Sequence, residues 1–444
     1  MTIGSISLIS VPGEFENRYF LNNPDITFFK SVYRKHTNFS KYLKVDKRDD
    51  NNIFTDSSES SLQFKINSGG DDLLSKIYLE NVLTIEKQSD VDLHICSNLG
   101  SNIISSDLNN SLRFDIGSNR GVFRSNSILQ EIMGELNNQM ILTHNGTNTI
   151  SPCLELSASN ISCKNGNHYQ NTTLSGGIRG ITLSDADTYT FDTFYIIPEF
   201  SFMKDYGLAI PLVSLNNEDM FFNVNYNSKD KLFKGLQSND TVSIKVNLIK
   251  ELIQLDIEEK TRFLTNNLTY ITESVRDTNQ ITNTGVSLTG IFTLCKYLII
   301  TGYTDPGIFE SSNNASEVSE STPQELKFKD LNILIDGSRL YDNNVNKGVF
   351  TKININEYFE GCGRDLSTDD NRGQLDSIGF IPFCIEPHNK TQPSGCISNL
   401  HSGIKRINID LTKEDVNTNL NLKIFAFNYN ILYINNGRAQ IKTN

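Results

Sequence analysis

Tryptophan is missing from all 444 residues, and paired cysteines, long apolar runs and catalytic signatures are missing with it. Seven cysteines stand at 96, 153, 163, 295, 362, 384 and 396, an odd number at wide spacing with no C-x-x-C. That pattern argues against a disulfide scaffold and a zinc ribbon, and fits reduced thiols in a cytosolic setting. No apolar stretch approaches the roughly 18 residues a membrane helix needs. Met1 to Pro12 lacks the basic start and long apolar run of a secretory signal. The histidines at 36, 94, 144, 168, 388 and 401 form no H-x-H or H-E-x-x-H, so the usual metal-ligand spacings are absent. His388 and His401 read as ordinary hydrogen-bonded or exposed side chains. There is no Walker A loop, no strand-linked G-x-G-x-x-G and no G-x-S-x-G elbow; Gly361-Cys362-Gly363 reads as a tight turn. Cys362, Cys384 and Cys396 read as buried, inert thiols rather than nucleophiles. Asp369-Asp370 and Glu258-Glu259 read as solvated faces. No catalytic, cofactor-binding or metal-binding residue is assigned, and no enzyme activity is expected.

Charge narrows the partners. Forty basic residues against 52 acidic ones give a formal charge of −12. An acidic surface repels phosphate backbones, so direct nucleic-acid binding is not expected. What the chain does contain is β pattern. Short alternating runs such as Leu62–Ile66, Val242–Leu248, Ile404–Ile409 and Leu422–Ile434 are separated by Asn, Asp, Ser and Gly clusters. One short helix is expected after Asp256, with Glu259 three residues on and Phe263 and Leu264 on its packing face. Glu86–Asp192 and Tyr303–Pro323 read as long loops, and Asn227–Asp240 as a linker between halves. The halves echo each other. Ile197-Pro198 recurs as Ile381-Pro382, Pro211–Leu215 as Gly395–Leu400, and Phe222 and Val224 as Ile407 and Ile409. The near-constant offset of about 185 residues points to a duplicated β-domain.

Several segments resemble one family in sequence and in order. The first is Phe20-Leu21-Asn22-Asn23-Pro24-Asp25-Ile26-Thr27-Phe28-Phe29-Lys30-Ser31-Val32-Tyr33-Arg34-Lys35-His36-Thr37-Asn38-Phe39. Gly70–Glu80, Gly207–Leu215, Asp256–Phe263, Gln392–Gly395 and Phe425–Leu432 follow. Together they are similar to the major capsid proteins of nucleocytoplasmic large DNA viruses. The match is weak over 86–190, and the family's Gly-rich tail is replaced by Asn435-Asn436-Gly437-Arg438, so both the dominant shell protein and a paralogue remain open.

The resemblance implies an all-β fold of two consecutive eight-stranded jelly rolls, a double jelly roll with short helices in loops. Its expected divisions are an N-terminal arm over 1–40, a first roll over 41–230 and a second over 241–444. It also implies a homotrimeric, pseudo-hexagonal capsomer of an icosahedral virion, assembled in the host cytoplasm and contacting neighbouring capsomers and minor capsid proteins. Between Lys30 and Arg48, seven basic residues (Lys30, Arg34, Lys35, Lys41, Lys44, Lys47 and Arg48) face only Asp46. By resemblance this arm lies at the capsomer base and touches minor capsid proteins or an internal membrane. The competing reading is a set of ordinary salt bridges and solvated lysines. Two other functions stay in view. One is a transient double jelly-roll scaffold for virion membranes. The other is a carbohydrate-binding β-sandwich on the virion surface, against which the missing tryptophan counts.

Overall fold

Alternation is the first thing the structure bears out. In the computed structural model, Leu62, Phe64 and Ile66 point inward from one strand while their neighbours face water. Val242, Ile244, Val246 and Leu248 do the same in another. The described residues are 27, 29–31, 33, 35–48, 55–66, 69–96, 99–136, 161–163, 181–190, 193–282, 285–302, 326–359, 377–398, 406–414 and 420–442. Residues 39–444 form one compact unit and residues 1–38 another.

Sixteen strands make the frame of the larger unit. The first eight are β1 (Phe39–Arg48), β2 (Ser60–Ile66), β3 (Leu73–Glu86), β4 (Leu112–Ile116), β5 (Asn119–Ser125), β6 (Phe194–Ile196), β7 (Met220–Tyr226) and β8 (Thr241–Leu255). They pair as two sheets in the orders β1-β8-β3-β6 and β2-β7-β4-β5. The second eight are β9 (Leu268–Thr282), β10 (Gly285–Ser287), β11 (Leu294–Gly302), β12 (Phe328–Ile335), β13 (Ser338–Arg339), β14 (Ile378–Pro382), β15 (Ile407–Lys413) and β16 (Leu420–Asn435). Their orders are β9-β16-β11-β14 and β10-β15-β12-β13. Adding eight to every label of the first roll gives the second. The repeat extends to a small edge pairing, Ile210–Pro211 on β3 and Ile397–Ser398 on β11. The sequence echo therefore has a structural cause: Phe222 and Ile407, for example, lie on the equivalent strands β7 and β15. The chain is a double jelly roll.

Two expectations change. The first roll does not end before 230. β8 pairs with β1 over ten residues and with β3 along its length, so it closes the first sandwich. Asn227–Asp240 is the loop leading into β8, and the passage to the second roll is helix α2, Ile257–Thr265. Likewise β1 is not a free arm but a frame strand. The other change lies within Glu86–Asp192. That stretch holds the frame strands β4 and β5, a ten-residue helix α1 (Ser127–Leu136), and strands of a further small sheet, Leu93–Ile95, Ile161–Cys163 and Ile181–Leu183.

The rolls share hydrophobic cores rather than merely touching. Ile128, Leu129, Ile132, Met133 and Leu136 of α1 pack on Val275, Tyr297, Ile299, Phe380, Phe425 and Phe427 of the second roll. In the other direction, Leu432 and Ile434 of β16 and Ala439 enter the first roll's core. Ala439 belongs to the terminal strand Arg438–Ile441, which folds back on the end of β16.

Candidate assembly surface

Three segments that carry the family resemblance are far apart in sequence and meet around Asp72. Gly70, at φ +96°, turns the chain so that Asp71 and Asp72 enter β3 buried. Asp72 Oδ2 accepts the backbone N–H of Leu255, the last residue of β8, at 2.9 Å. Its Oδ1 lies 2.7 Å from Lys260 Nζ on α2. The Asp72 carbonyl accepts from Val213 N, and Ser214 Oγ donates to the Phe263 carbonyl at 2.7 Å. Gly70–Glu80, Gly207–Leu215 and Asp256–Phe263 thus clamp the start of the passage between rolls. α2 forms as expected, with the Asp256 carboxylate accepting Ile257 N. Only one of the two predicted packing residues packs: Phe263 lies on Leu73, Ala209 and Ile253, while Leu264 is exposed.

The basic arm divides in two. Lys30, Lys35 and His36, in the smaller unit, are exposed. Lys41 and Lys44, on β1, have acids to meet. Lys41 Nζ is 3.4 Å from Glu251 and donates to Tyr206 Oη at 3.2 Å. Lys44 Nζ lies 3.2 Å from Asp71, which also accepts the Tyr42 hydroxyl. Burial and that bond to Asp71 push the Tyr42 phenol up to about 12. Burial pushes the Glu251 carboxyl up, but the Ser75 hydroxyl, Lys76 and Lys41 outweigh it and leave it below its ordinary value. Asp46 pairs with Lys250 at 2.5 Å, and Arg48 donates to the Gln63 carbonyl. For Lys41 and Lys44 the salt-bridge reading holds. β1 also exposes Phe39, Leu43 and Val45 along the outer edge of its sheet.

The Gln392–Gly395 loop folds over the second roll. Ser394 Oγ accepts Glu386 N at 3.0 Å, and Ser394 N donates to Tyr429 Oη. Beneath it Glu273 is buried between two lysines. Lys296 Nζ reaches Oε1 at 2.6 Å, and Lys390 Nζ lies 2.8 Å from each oxygen. Burial pushes Glu273 up, yet Lys390 and Lys296 hold it below its ordinary value. Lys390 is itself held low, because its burial outweighs its half share of one carboxylate. His388 donates through Nε2 to the Tyr358 carbonyl and stands edge-on to Phe359.

The remaining sequence candidates do not come together. Cys96, Cys295 and Cys384 are buried, and burial raises the Cys295 and Cys384 thiols, as expected for inert cysteines. Cys396 departs from that expectation and is exposed. Cys362, Asp369-Asp370 and His401 lie outside the described residues, as do Phe20–Ile26 of the N-terminal segment. Among the described residues no group of three or more His, Cys, Asp or Glu is placed to hold a metal ion. The contacts that sequence reading missed are α1 on the second roll and the terminal strand on the first. For α1 the signal was present: apolar residues at 128, 129, 132, 133 and 136 follow a helical period.

No family model matches the chain. The major capsid protein of Pyramimonas orientalis virus is 23% identical over 437 residues, covering 94% of each chain. The fold is similar to that of VP54 of PBCV-1, with TM-score 0.61, 18% identity and coverage of 94% of this chain and 99% of that one. It is also similar to the Faustovirus major capsid protein, with TM-score 0.57, 11% identity and coverage of 92% and 93%. The chain thus shares the double jelly-roll fold of these capsid proteins.

Proposed function

We propose that the chain is the major structural protein of an icosahedral capsid, or a close paralogue, and acts as a homotrimeric capsomer. The observation that carries this is the repeated strand order of two sandwiches within one compact unit. Two similar blocks per chain let threefold symmetry approximate sixfold, which tiles a flat lattice. Closed symmetry yields a discrete tile instead of a fibre. Shared cores make each tile stiff, so little ordering cost attends each contact. The chain then resides in the virion shell after assembly in the host cytoplasm, contacting neighbouring capsomers. The recombinant protein should run at about 150 kDa, three times the 50.0 kDa chain, with a hexagonal outline by electron microscopy. A monomer at assembly concentrations would overturn the reading. Abundance in purified mature particles separates a shell protein from a scaffold that is shed.

The arm over Lys30–Arg48 is assigned to minor capsid proteins or to the anionic face of an internal membrane. With Lys41 and Lys44 engaged by acids, the attraction falls chiefly to Lys30, Arg34 and Lys35, at about 1 kcal/mol per basic group near a lipid surface. Supporting this, the aromatic rings of Phe29 and Tyr33 beside them are exposed.

A further inference from the structure

The seam between the rolls holds arginines that the capsid reading does not use. Arg113 on β4 and Arg124 on β5 are direct cross-strand partners, an arrangement that places two like charges side by side. Arg276 comes from β9 of the second roll, which packs against β5. Nearby acids are already committed. Asp115 takes Arg113 Nε at 3.1 Å, Gly121 N and Asn223 Nδ2. Asp277 takes Lys423 at 3.0 Å. Asp107 takes Asn109 N and Asn110 Nδ2. Arg124 donates through Nη1 to Asn109 Oδ1 at 2.8 Å, but its Nε is buried with no partner. Neither Arg124 nor Arg276 forms an ion pair among the described residues. Burial, then Arg113 and Arg276, all disfavour the charge on Arg124. The guanidinium is also held in place. It lies over Gly121, where a Cβ would come within 2.3 Å of Nε, and Gly121 has φ +62°.

Arginines drawn from two contacting strands, one of them with an unpaired Nε, suit a planar or tetrahedral oxyanion. We propose that Arg124 and Arg276, with Arg113 behind them, bind a phosphate-class oxyanion that bridges the two jelly rolls. Bound there, the anion would sit beside the Arg124 guanidinium and relieve repulsion across the seam. Because such a ligand binds the folded state only, it raises stability along a saturable curve.

The test is thermal unfolding of the full-length protein at pH 7 in inorganic phosphate against sodium chloride of matched ionic strength, which removes simple screening. Tm should rise and saturate with phosphate, and with sulfate in a second series. Arg276→Gln should flatten the curve while starting at or above the wild-type Tm in chloride, since one repelling charge is gone. Arg276→Lys keeps the charge but loses the fork, and should weaken the response while leaving the chloride Tm unchanged. Coinciding wild-type curves in phosphate and chloride would overturn the proposal, as would Arg276→Gln with the phosphate shift intact.

Discussion

Asp72 shows how one buried carboxylate organises a junction. It accepts the last N–H of β8 and pairs with Lys260 of α2, so its two oxygens serve two different elements. The backbone bond is the dearer one to lose, because Lys260 is about one-third exposed and its pairing is partly screened. Asp72→Asn keeps an acceptor for Leu255 N and should cost about 1 kcal/mol. Asp72→Ala leaves that N–H unpaired and should cost about 2–4 kcal/mol. Urea unfolding midpoints of the two variants give the comparison; equal losses would put the weight on the ion pair instead. Near the Gln392–Gly395 loop, pH should matter. His388 is held below its ordinary value by burial first, then by Lys390, Lys296 and Lys204, against Glu273. The unfolded chain therefore binds the proton more readily. Stability is fully present above the ordinary imidazole value of 6.5 and falls as pH drops below it. Glu273, also held low, has the same sign at more acid pH: its contribution is present above the ordinary carboxyl range and lost on falling through its folded value. Wild type should lose stability between pH 7 and 5, and His388→Gln should abolish the upper part of that loss. Identical pH profiles by chemical denaturation would refute the assignment to His388.

At the scale of elements, β1 separates the two readings of the basic arm. Its lysines are gatekeepers on an edge strand as well as partners of Glu251 and Asp71. Lys44→Glu sets a carboxylate beside Asp71 and should destabilise the fold by about 1–2 kcal/mol. Lys30→Glu with Lys35→Glu should leave Tm unchanged yet lower particle yield in an assembly assay. If the double variant assembles normally, the arm has no anionic partner. The elements also show what was legible in the sequence. Strands with one wet face, such as β2, announce themselves by alternation. β11 does not, because it is buried on both faces, against its own sandwich and against α1. Alternation in Val242–Leu248 located β8 correctly but could not say which sandwich it joins. Its partners, β1 and β3, are distant in sequence, and the polar run before it has the composition of a linker. Motif residues around Asp72 were visible as separate matches, while their convergence was a matter of tertiary contact.

For the whole molecule, the decisive property is that two duplicated sandwiches behave as one block. The 185-residue echo revealed the duplication, since equivalent strands keep equivalent apolar positions. It could not reveal the fastening, which depends on tertiary contacts between the halves. That fastening includes the terminal strand Arg438–Ile441. Its Ala439 N donates to Glu218 Oε2 at 3.0 Å, its Ala439 carbonyl accepts Asn119 Nδ2 at 2.9 Å, and Asn217 Nδ2 donates to the Asn436 carbonyl at 3.1 Å. Each partner belongs to the first roll, while the strand hangs from β16 of the second. Truncation after Asn435 removes these bonds and uncovers Leu432 and Ile434, at a cost of about 2–4 kcal/mol. Glu218→Ala should cost about 1 kcal/mol and preserve a single transition. For the truncated chain, calorimetry should show a van't Hoff enthalpy below the calorimetric one, because each roll then unfolds with less reference to the other. A truncated protein that still melts in one two-state step would assign the coupling to α1 and its seat on Tyr297, Phe380 and Phe425 instead. In that case Phe380→Ala, at about 3–5 kcal/mol, should be the variant that splits the transition.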